Sequence, residues 1–203
     1  MTLIQSRSSL VVYGNQKISR QVALFDLPAK HTCLNHAHCW RTCYAYKQQQ
    51  YWHLAEIRNT RYQATLLPEF VERMVELIKK KPYCRPHTSG DFYSQEYVDK
   101  WITIMEACPN TQFFGFTKVK NILNFSSMNA LPNVNMISSI LPDGQLNYGG
   151  RLILHYYQDL YDCHVCQVPY PYPRGYCMSQ CHACLTAKMV IFEQHGSRRG
   201  FKK

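Results

Sequence analysis

The sequence lacks the two kinds of segment that direct a protein into or across a membrane. No apolar run approaches the roughly 20 residues that span a bilayer. Residues 1–7 have no long apolar core, so they do not resemble a signal peptide. We therefore predict a cytoplasmic protein without a membrane partner. Because thiols stay reduced in that compartment, a disulfide framework is not expected.

Charge is scarce and mainly of one sign. Charged residues make up 18% of the chain, and 23 Lys and Arg against 13 Asp and Glu give a formal net charge of +10. This excess fits either an ordinary basic surface or an anionic partner such as nucleic acid. Residues 198–203 predict a basic tail that adds phosphate contacts without sequence specificity.

Cysteine, by contrast, is plentiful and clustered. Eight of the ten cysteines fall in two groups, one at positions 33, 39 and 43 and one between residues 163 and 184. Clustered thiols in a chain without a secretory signal favour metal binding. The isolated Cys84 and Cys108 are expected to be small buried hydrophobes.

The first cysteine group follows a predicted strand. Residues 22–25 form a short apolar run, and Cys33, Cys39 and Cys43 come after it. Thiolate is the ligand of zinc and of iron–sulfur clusters. Three thiolates leave one position of a zinc ion or a [4Fe–4S] cluster for another residue, a substrate or a cofactor. His36 and His38 lie in the same loop, and they and His182 are alternative ligands or else polar loop residues that form hydrogen bonds.

The second cysteine group can complete a site of four thiolates. One possible set is Cys166, Cys177, Cys181 and Cys184, and Cys163 can replace Cys166. Zinc and a [4Fe–4S] cluster both accept four thiolates, and the spacing does not decide between them. The loop of three cysteines near the N-terminus favours iron.

The first 158 residues alternate between strand and helix patterns. Strands are predicted at 8–13, 18–25, 83–88, 112–117, 134–138 and 151–155, and helices from 44, 69 and 94, with a weaker one at 119–128. Such alternation indicates an α/β fold with a parallel sheet. About four βα units are too few for an eightfold barrel of about 250 residues. We predict a partial (β/α) barrel or an open sheet over residues 1–158, and a cysteine-rich metal-binding extension with the basic tail over 159–203.

Three candidate groups fall at the carboxyl ends of predicted strands, where such folds bind ligands. They are the first cysteine group, Ser89-Gly90-Asp91 and Thr117-Lys118. Glycine lets the backbone approach a ligand closely, and the Asp91 carboxylate can hold an ammonium group. The alternative role of Asp91 is an interaction with the dipole of the helix that follows. His87 belongs to the same region.

The ordered set of motifs resembles the gene product 88 family of phages and plasmids. The matching motifs, within residues 26–185, are Cys33…Cys39…Cys43-Tyr-Ala, Arg61-Tyr62, His87-Thr-Ser-Gly-Asp-Phe92, Tyr97, Trp101, Phe113-Phe-Gly-Phe-Thr117-Lys118 and Cys177…Cys181…Cys184. The resemblance implies a phage or plasmid origin and brings little mechanism.

A more distant resemblance is to radical S-adenosylmethionine (SAM) enzymes. These are partial or full βα barrels with three cysteines after the first strand, and their Gly-Gly-Glu motif corresponds to Ser89-Gly90-Asp91 here. Their usual loop is Cys-x3-Cys-x2-Cys, whereas this one is Cys-x5-Cys-x3-Cys. The resemblance implies a [4Fe–4S] cluster on Cys33, Cys39 and Cys43 whose open iron chelates SAM, with Asp91 orienting it. It also implies an auxiliary cluster on the C-terminal cysteines.

Three interpretations follow. The first is an iron–sulfur protein with one or two clusters, acting as a redox or radical SAM enzyme with a reductase or a small-molecule substrate as partner. The second is a non-enzymatic, metal-stabilised nucleic-acid-binding protein. The third places all seven thiols around one unusual cluster. The sequence leaves the substrate, the cluster type and the oligomeric state open.

Overall fold

Five strands form one mixed sheet, ordered as they occur in the chain. The computed structural model describes residues 10–34, 43–119, 122–138, 163–165, 174–187 and 189–191. The strands are β1 (Val12–Tyr13), β2 (Val22–Phe25), β3 (Tyr83–Pro86), β4 (Gln112–Thr117) and β5 (Val134–Ser138). β1 pairs antiparallel with β2, and β2 to β5 are parallel. The predicted α/β class is thus confirmed as a mixed sheet.

The hairpin predicted at the start of the chain is present. Gly14 adopts φ +67° and donates its N–H to Val22 O at 2.9 Å. The Asn15 side chain accepts from the N–H groups of Lys17 and Ile18, each at 2.8 Å. Glycine and asparagine therefore form the turn, as residues that tolerate positive φ or bond their own backbone usually do.

Helices connect the parallel strands. They are α1 (Tyr44–Gln48), α2 (Trp52–Thr65), α3 (Phe70–Ile78), α4 (Gln95–Glu106) and α5 (Ser126–Asn129). α3 buries Phe70, Met74 and Ile78, which are spaced four residues apart and so share one face. Ser94 begins α4 by accepting from Tyr97 N at 3.2 Å, which is the predicted cap. The weaker helix expected at 119–128 is reduced to α5.

The two faces of the sheet pack against different parts of the chain. Alternate strand residues such as Phe25 and Phe113 join the main core with the helices, where Trp101 and Met74 are fully buried. Cys84 and Cys108 belong to this core, as predicted, and desolvation raises the pKa of both thiols. The opposite set of strand residues forms a second, smaller cluster with members Ile18, Val22, Leu24, Phe114 and Met178.

The segment 174–187 covers the second face of the sheet. Cys177 O accepts from Ser19 N at 2.9 Å, and Asn135 Nδ2 donates to Cys184 O at 2.9 Å and to Ala187 O at 3.1 Å. This segment, which contains a 3₁₀ helix at Ala183–Leu185, therefore packs on the sheet. β6 (Cys163–Val165) and β7 (Met189–Ile191) form a separate parallel pair.

Several predictions concern residues outside this description. These are the predicted domain boundary between residues 158 and 159 and the predicted strand at 151–155, both outside the described residues. Within the described ranges β1 and β5 are the two edge strands of the sheet. These ranges therefore show an open sheet and do not show the predicted partial barrel. No helix in those ranges is long and apolar enough to cross a bilayer.

Candidate functional site

A cleft of about 100 Å³ lies beside the carboxyl ends of β3 and β4. Its walls come from the segments after β2, β3 and β4, and are formed by Ala29, Cys33, Cys43, Tyr44, Ala45, Arg85, His87, Thr88, Ser89, Gly90, Asp91, Phe116 and Lys118. The structure thus brings Cys33 and Cys43 together with Ser89-Gly90-Asp91 and Lys118. Cys39, His36 and His38 lie outside the described residues.

Asp26, directly after β2, holds the loop that follows β3. Its carboxylate accepts from Thr88 N at 2.7 Å, from Ser89 N at 3.1 Å and from the Thr88 hydroxyl at 2.7 Å. The buried Arg58 and Arg61 interact electrostatically with this carboxylate. Desolvation lowers the pKa of both guanidinium groups, and the Asp26 charge opposes that shift. This role of Asp26 was not predicted from the sequence.

Ser89 and Gly90 pack this loop against the chain that leads to the first cysteine group. The Ser89 hydroxyl donates to Leu27 O at 2.9 Å, and Leu27 N donates to Ser89 O at 2.9 Å. Gly90 has φ +78°, and a Cβ atom on it would lie 2.6 Å from Thr32 Oγ1 and 2.7 Å from Leu27 Cβ. Glycine is required here by both the dihedral angle and the close approach.

Asp91 joins the ends of β3 and β4. Its side chain is buried, and one carboxylate oxygen accepts from Thr117 Oγ1 at 2.7 Å and from Phe92 N at 2.9 Å. The other oxygen accepts from Lys118 N at 2.8 Å. Desolvation raises the pKa of Asp91, and these hydrogen bonds act in the opposite direction. Both carboxylate oxygens of Asp91 therefore accept hydrogen bonds from the protein itself. The N-terminal cap of α4 is Ser94 and not Asp91.

His87 is a buried, neutral histidine in the wall of the cleft. It has φ +61°, and its ring packs edge-on against Phe92 with the centroids 4.5 Å apart. Its Nε2 lies 2.9 Å from the Tyr97 hydroxyl, whereas its buried Nδ1 has no hydrogen-bond partner. Burial lowers the pKa of His87 to about 3. The imidazole therefore stays uncharged at neutral pH.

Arg85 is a cleft residue that was not predicted from the sequence. It lies within β3, and its guanidinium carbon is 5.3 Å from the Phe116 ring centroid and 5.9 Å from that of Phe114. Its Nε is buried without a hydrogen-bond partner. The available signal was an arginine inside a short strand between two residues that become buried, Cys84 and Pro86.

Three C-terminal cysteines, Cys177, Cys181 and Cys184, belong to the segment that covers the second face of the sheet, and they do not line the cleft. Cys177, Cys181 and Cys184 are half-buried, and Met178 N donates to Cys181 O at 2.9 Å. Cys166 lies outside the described residues. In the ranges that the structure covers, no group of three or more His, Cys, Asp or Glu side chains is arranged to hold a metal ion. The iron–sulfur and SAM predictions thus have no direct support there.

Comparisons with known proteins agree with the first resemblance and not with the second. The family model described as Gene product 88 matches residues 4–189. The "Gene 88 protein" of Mycobacterium phage L5 is 28% identical over 121 residues, covering 53% of this chain and 51% of that protein. The "Gene 88 protein" of Mycobacterium phage D29 is 27% identical over 121 residues, covering 53% and 50%. The chain thus matches about half the length of these curated relatives. No solved structure matches it significantly.

Proposed function

The chain belongs to the gene product 88 family, and we propose that it is an iron–sulfur protein whose first cluster is held by Cys33, Cys39 and Cys43. The observation that carries the proposal is the meeting of Cys33 and Cys43 in one cleft, although nine residues separate them in the chain. The cleft lies at the carboxyl edge of parallel strands, where α/β folds bind their ligands.

The described donor atoms fit a cysteine-ligated cluster. Cys33 and Cys43 are half-buried, so each has access both to the protein and to the cleft. Cys39, between them in sequence, supplies the third thiolate of the proposed set. A [4Fe–4S] cluster on three thiolates provides one-electron chemistry and one iron without a protein ligand. This chain's own residues would exclude water and fix the loops around it.

A second cluster is proposed on Cys166, Cys177, Cys181 and Cys184, with Cys163 as the alternative to Cys166. The support is that the backbones of Cys177 and Cys181 form an isolated β-bridge, within one short segment that packs on the sheet. The positions also speak against one cluster shared by all seven thiols. Cys177 O accepts a hydrogen bond from Ser19 N, which lies before the start of β2. Cys43 lies in the wall of the cleft, at the opposite end of the strands.

The test is metal and sulfide counting after strictly anaerobic, iron-replete expression. We expect iron and acid-labile sulfide in equal amounts, about four of each per chain for one [4Fe–4S] cluster and about eight for two. Replacing Cys177 by Ser separates the two sites, because it should lower the count by one cluster only. A colourless protein with stoichiometric zinc contradicts the proposal.

SAM is proposed as the ligand of the first cluster, with Ser89, Gly90 and Asp91 in the adjoining wall. Asp91 positions this wall through the hydrogen bonds that its carboxylate accepts from Thr117, Lys118 and Phe92. An ammonium group of the ligand would share the carboxylate oxygens with these three donors. After reduction, SAM should change the electron paramagnetic resonance spectrum of the cluster. Asp91→Ala should weaken that response and leave the iron content unchanged. A spectrum that SAM leaves untouched removes the radical SAM mechanism and retains the cluster.

Nucleic-acid binding is the second candidate function. The supporting observation is a group of exposed tyrosines near the cleft, Tyr44, Tyr46 and Tyr51, with Lys30 Nζ 3.7 Å from the Tyr46 ring centroid. Exposed aromatic rings and cations together bind single strands by stacking and charge. Binding to an oligonucleotide should weaken steeply as salt rises. Absence of binding at low salt excludes this function.

A further inference from the structure

Two residues of the cleft carry buried polar atoms that lack a partner. Among the described side chains, the buried nitrogen or oxygen atoms without a hydrogen bond are Arg85 Nε, His87 Nδ1 and Trp101 Nε1. Arg85 and His87 both line the cleft. A buried polar group without a partner loses its hydrogen bonds to water and gains none in return, which lowers stability. Two of these three unpartnered atoms therefore belong to residues that line one cleft.

Both groups are suited to donate a hydrogen bond. Arginine Nε–H is a donor and never an acceptor. His87 Nε2 lies 2.9 Å from the Tyr97 hydroxyl, and when that hydroxyl donates to Nε2 the imidazole proton sits on Nδ1. The matching ligand group therefore carries acceptor oxygens.

The charges of the cleft favour a negative ligand group. Its charged side chains are Arg85, Lys118 and Asp91. The Asp91 carboxylate accepts three hydrogen bonds from Thr117, Lys118 N and Phe92 N, which draw its charge inward. The Lys118 charge acts on Asp91, so these two charges offset each other and the cleft keeps the positive charge of Arg85. The rings of Phe114 and Phe116 flank the Arg85 guanidinium and restrict its orientation.

We propose that Arg85 anchors an oxyanion group, a carboxylate or a phosphate, of a small ligand in this cleft, with His87 as a second donor. The planar guanidinium fork matches either oxyanion with two parallel hydrogen bonds. A cleft of about 100 Å³ admits a small molecule or the end group of a larger one. The anchoring residues belong to β3 and the loop after it, so the proposal does not depend on the cysteine groups or on a cluster.

The test is a nuclear magnetic resonance titration of the full chain, labelled at the arginine Nε–H groups and purified anaerobically. Potassium succinate and potassium phosphate are the probes, and potassium chloride at equal ionic strength is the control. We expect a saturable shift of the Arg85 signal with succinate, with phosphate or with both, and the responding salt identifies the oxyanion. Shifts no larger than those with chloride overturn the proposal. Iron counted in the same samples tests the cluster separately.

Variants identify the anchor. Binding by the variants is measured by isothermal titration calorimetry with the responding salt, because Arg85→Met lacks the Arg85 signal. Arg85→Met keeps much of the side-chain length but removes the charge, and should weaken binding at least tenfold. Arg85→Lys keeps the charge without the fork and should also weaken binding. Arg73→Met is the matched control, because Arg73 lies on α3 and pairs with Glu76 at 3.1 Å, outside the cleft. Undiminished binding in a folded Arg85→Met protein overturns the proposal, and the wild-type titration decides the matter if that variant does not fold.

Discussion

Substitution of Gly90 by alanine tests the loop packing that forms the cleft. The φ of +78° costs an alanine about 1–2 kcal/mol. The new Cβ would also lie 2.7 Å from Leu27 Cβ and 2.6 Å from Thr32 Oγ1. Overpacking of this kind typically costs about 1–3 kcal/mol. The two effects together predict a loss of about 2–5 kcal/mol in the free energy of unfolding.

Gly175→Ala is the matched control for the dihedral angle. Gly175 has φ +71°, but the nearest atom to an added Cβ is Ser19 Cα at 3.5 Å, an ordinary contact distance. This variant should therefore lose only about 1–2 kcal/mol. Urea unfolding of both variants and the wild type measures the difference. Because both variants share the dihedral cost, an excess of about 1–3 kcal/mol for Gly90→Ala isolates the steric cost.

The result that refutes this reasoning is equal stability of the two variants, or a smaller loss for Gly90→Ala. Either outcome means that the loop after β3 does not press against residues 27–32. The path of the chain toward Cys33 would then differ from the one described. Thermal melting gives an independent measure, since about 1 kcal/mol shifts the midpoint by about 2–4 °C in a chain of this size.

Two further predictions concern His87 and the C-terminal segment. Because the pKa of His87 falls from 6.5 to about 3 on folding, its neutral form contributes stability that is complete above pH 6.5 and is lost as pH falls toward 3. Urea unfolding between pH 7.5 and 5 should show this loss as a fall in the free energy of unfolding, with a slope that approaches about 1.4 kcal/mol per pH unit below pH 6. His87→Gln should reduce this slope, whereas the control His53→Gln, at an exposed histidine, should leave it unchanged. An equal slope in wild type and His87→Gln contradicts the assignment. Asn135→Ala removes two hydrogen bonds to the segment 174–187, so amide exchange should accelerate there and stay unchanged in β3; unchanged exchange in 174–187 contradicts this anchoring.

Much of the fold follows from local sequence patterns. The turn residues Gly14 and Asn15, the cap Ser94 and the spacing of Phe70, Met74 and Ile78 each act within a few residues. Such local signals are visible in the sequence, and the elements that they predict are present. The helix expected at 119–128 had a weak sequence pattern, and among the described residues of that region the structure has a helix at Ser126–Asn129.

The site was predictable only in part, because its contacts are long-range. Placing candidate residues at strand ends was sufficient to bring Cys33, Cys43 and Asp91 to one cleft. Asp26 was missed because its partners Thr88 and Ser89 lie more than 60 residues away in the chain. Arg85 was missed for a similar reason. Its unpaired Nε becomes evident only when β4 places Phe114 and Phe116 beside it.

Iron content of Cys39→Ala tests the central claim most directly. The matched control is Cys108→Ala, which removes an isolated buried thiol from the core and should leave the iron content unchanged. Both proteins are made anaerobically with excess iron, and folding is checked by circular dichroism. If Cys33, Cys39 and Cys43 hold a cluster, Cys39→Ala loses one cluster's worth of iron and sulfide while remaining folded. A folded Cys39→Ala protein with the iron and sulfide content of the wild type contradicts the account.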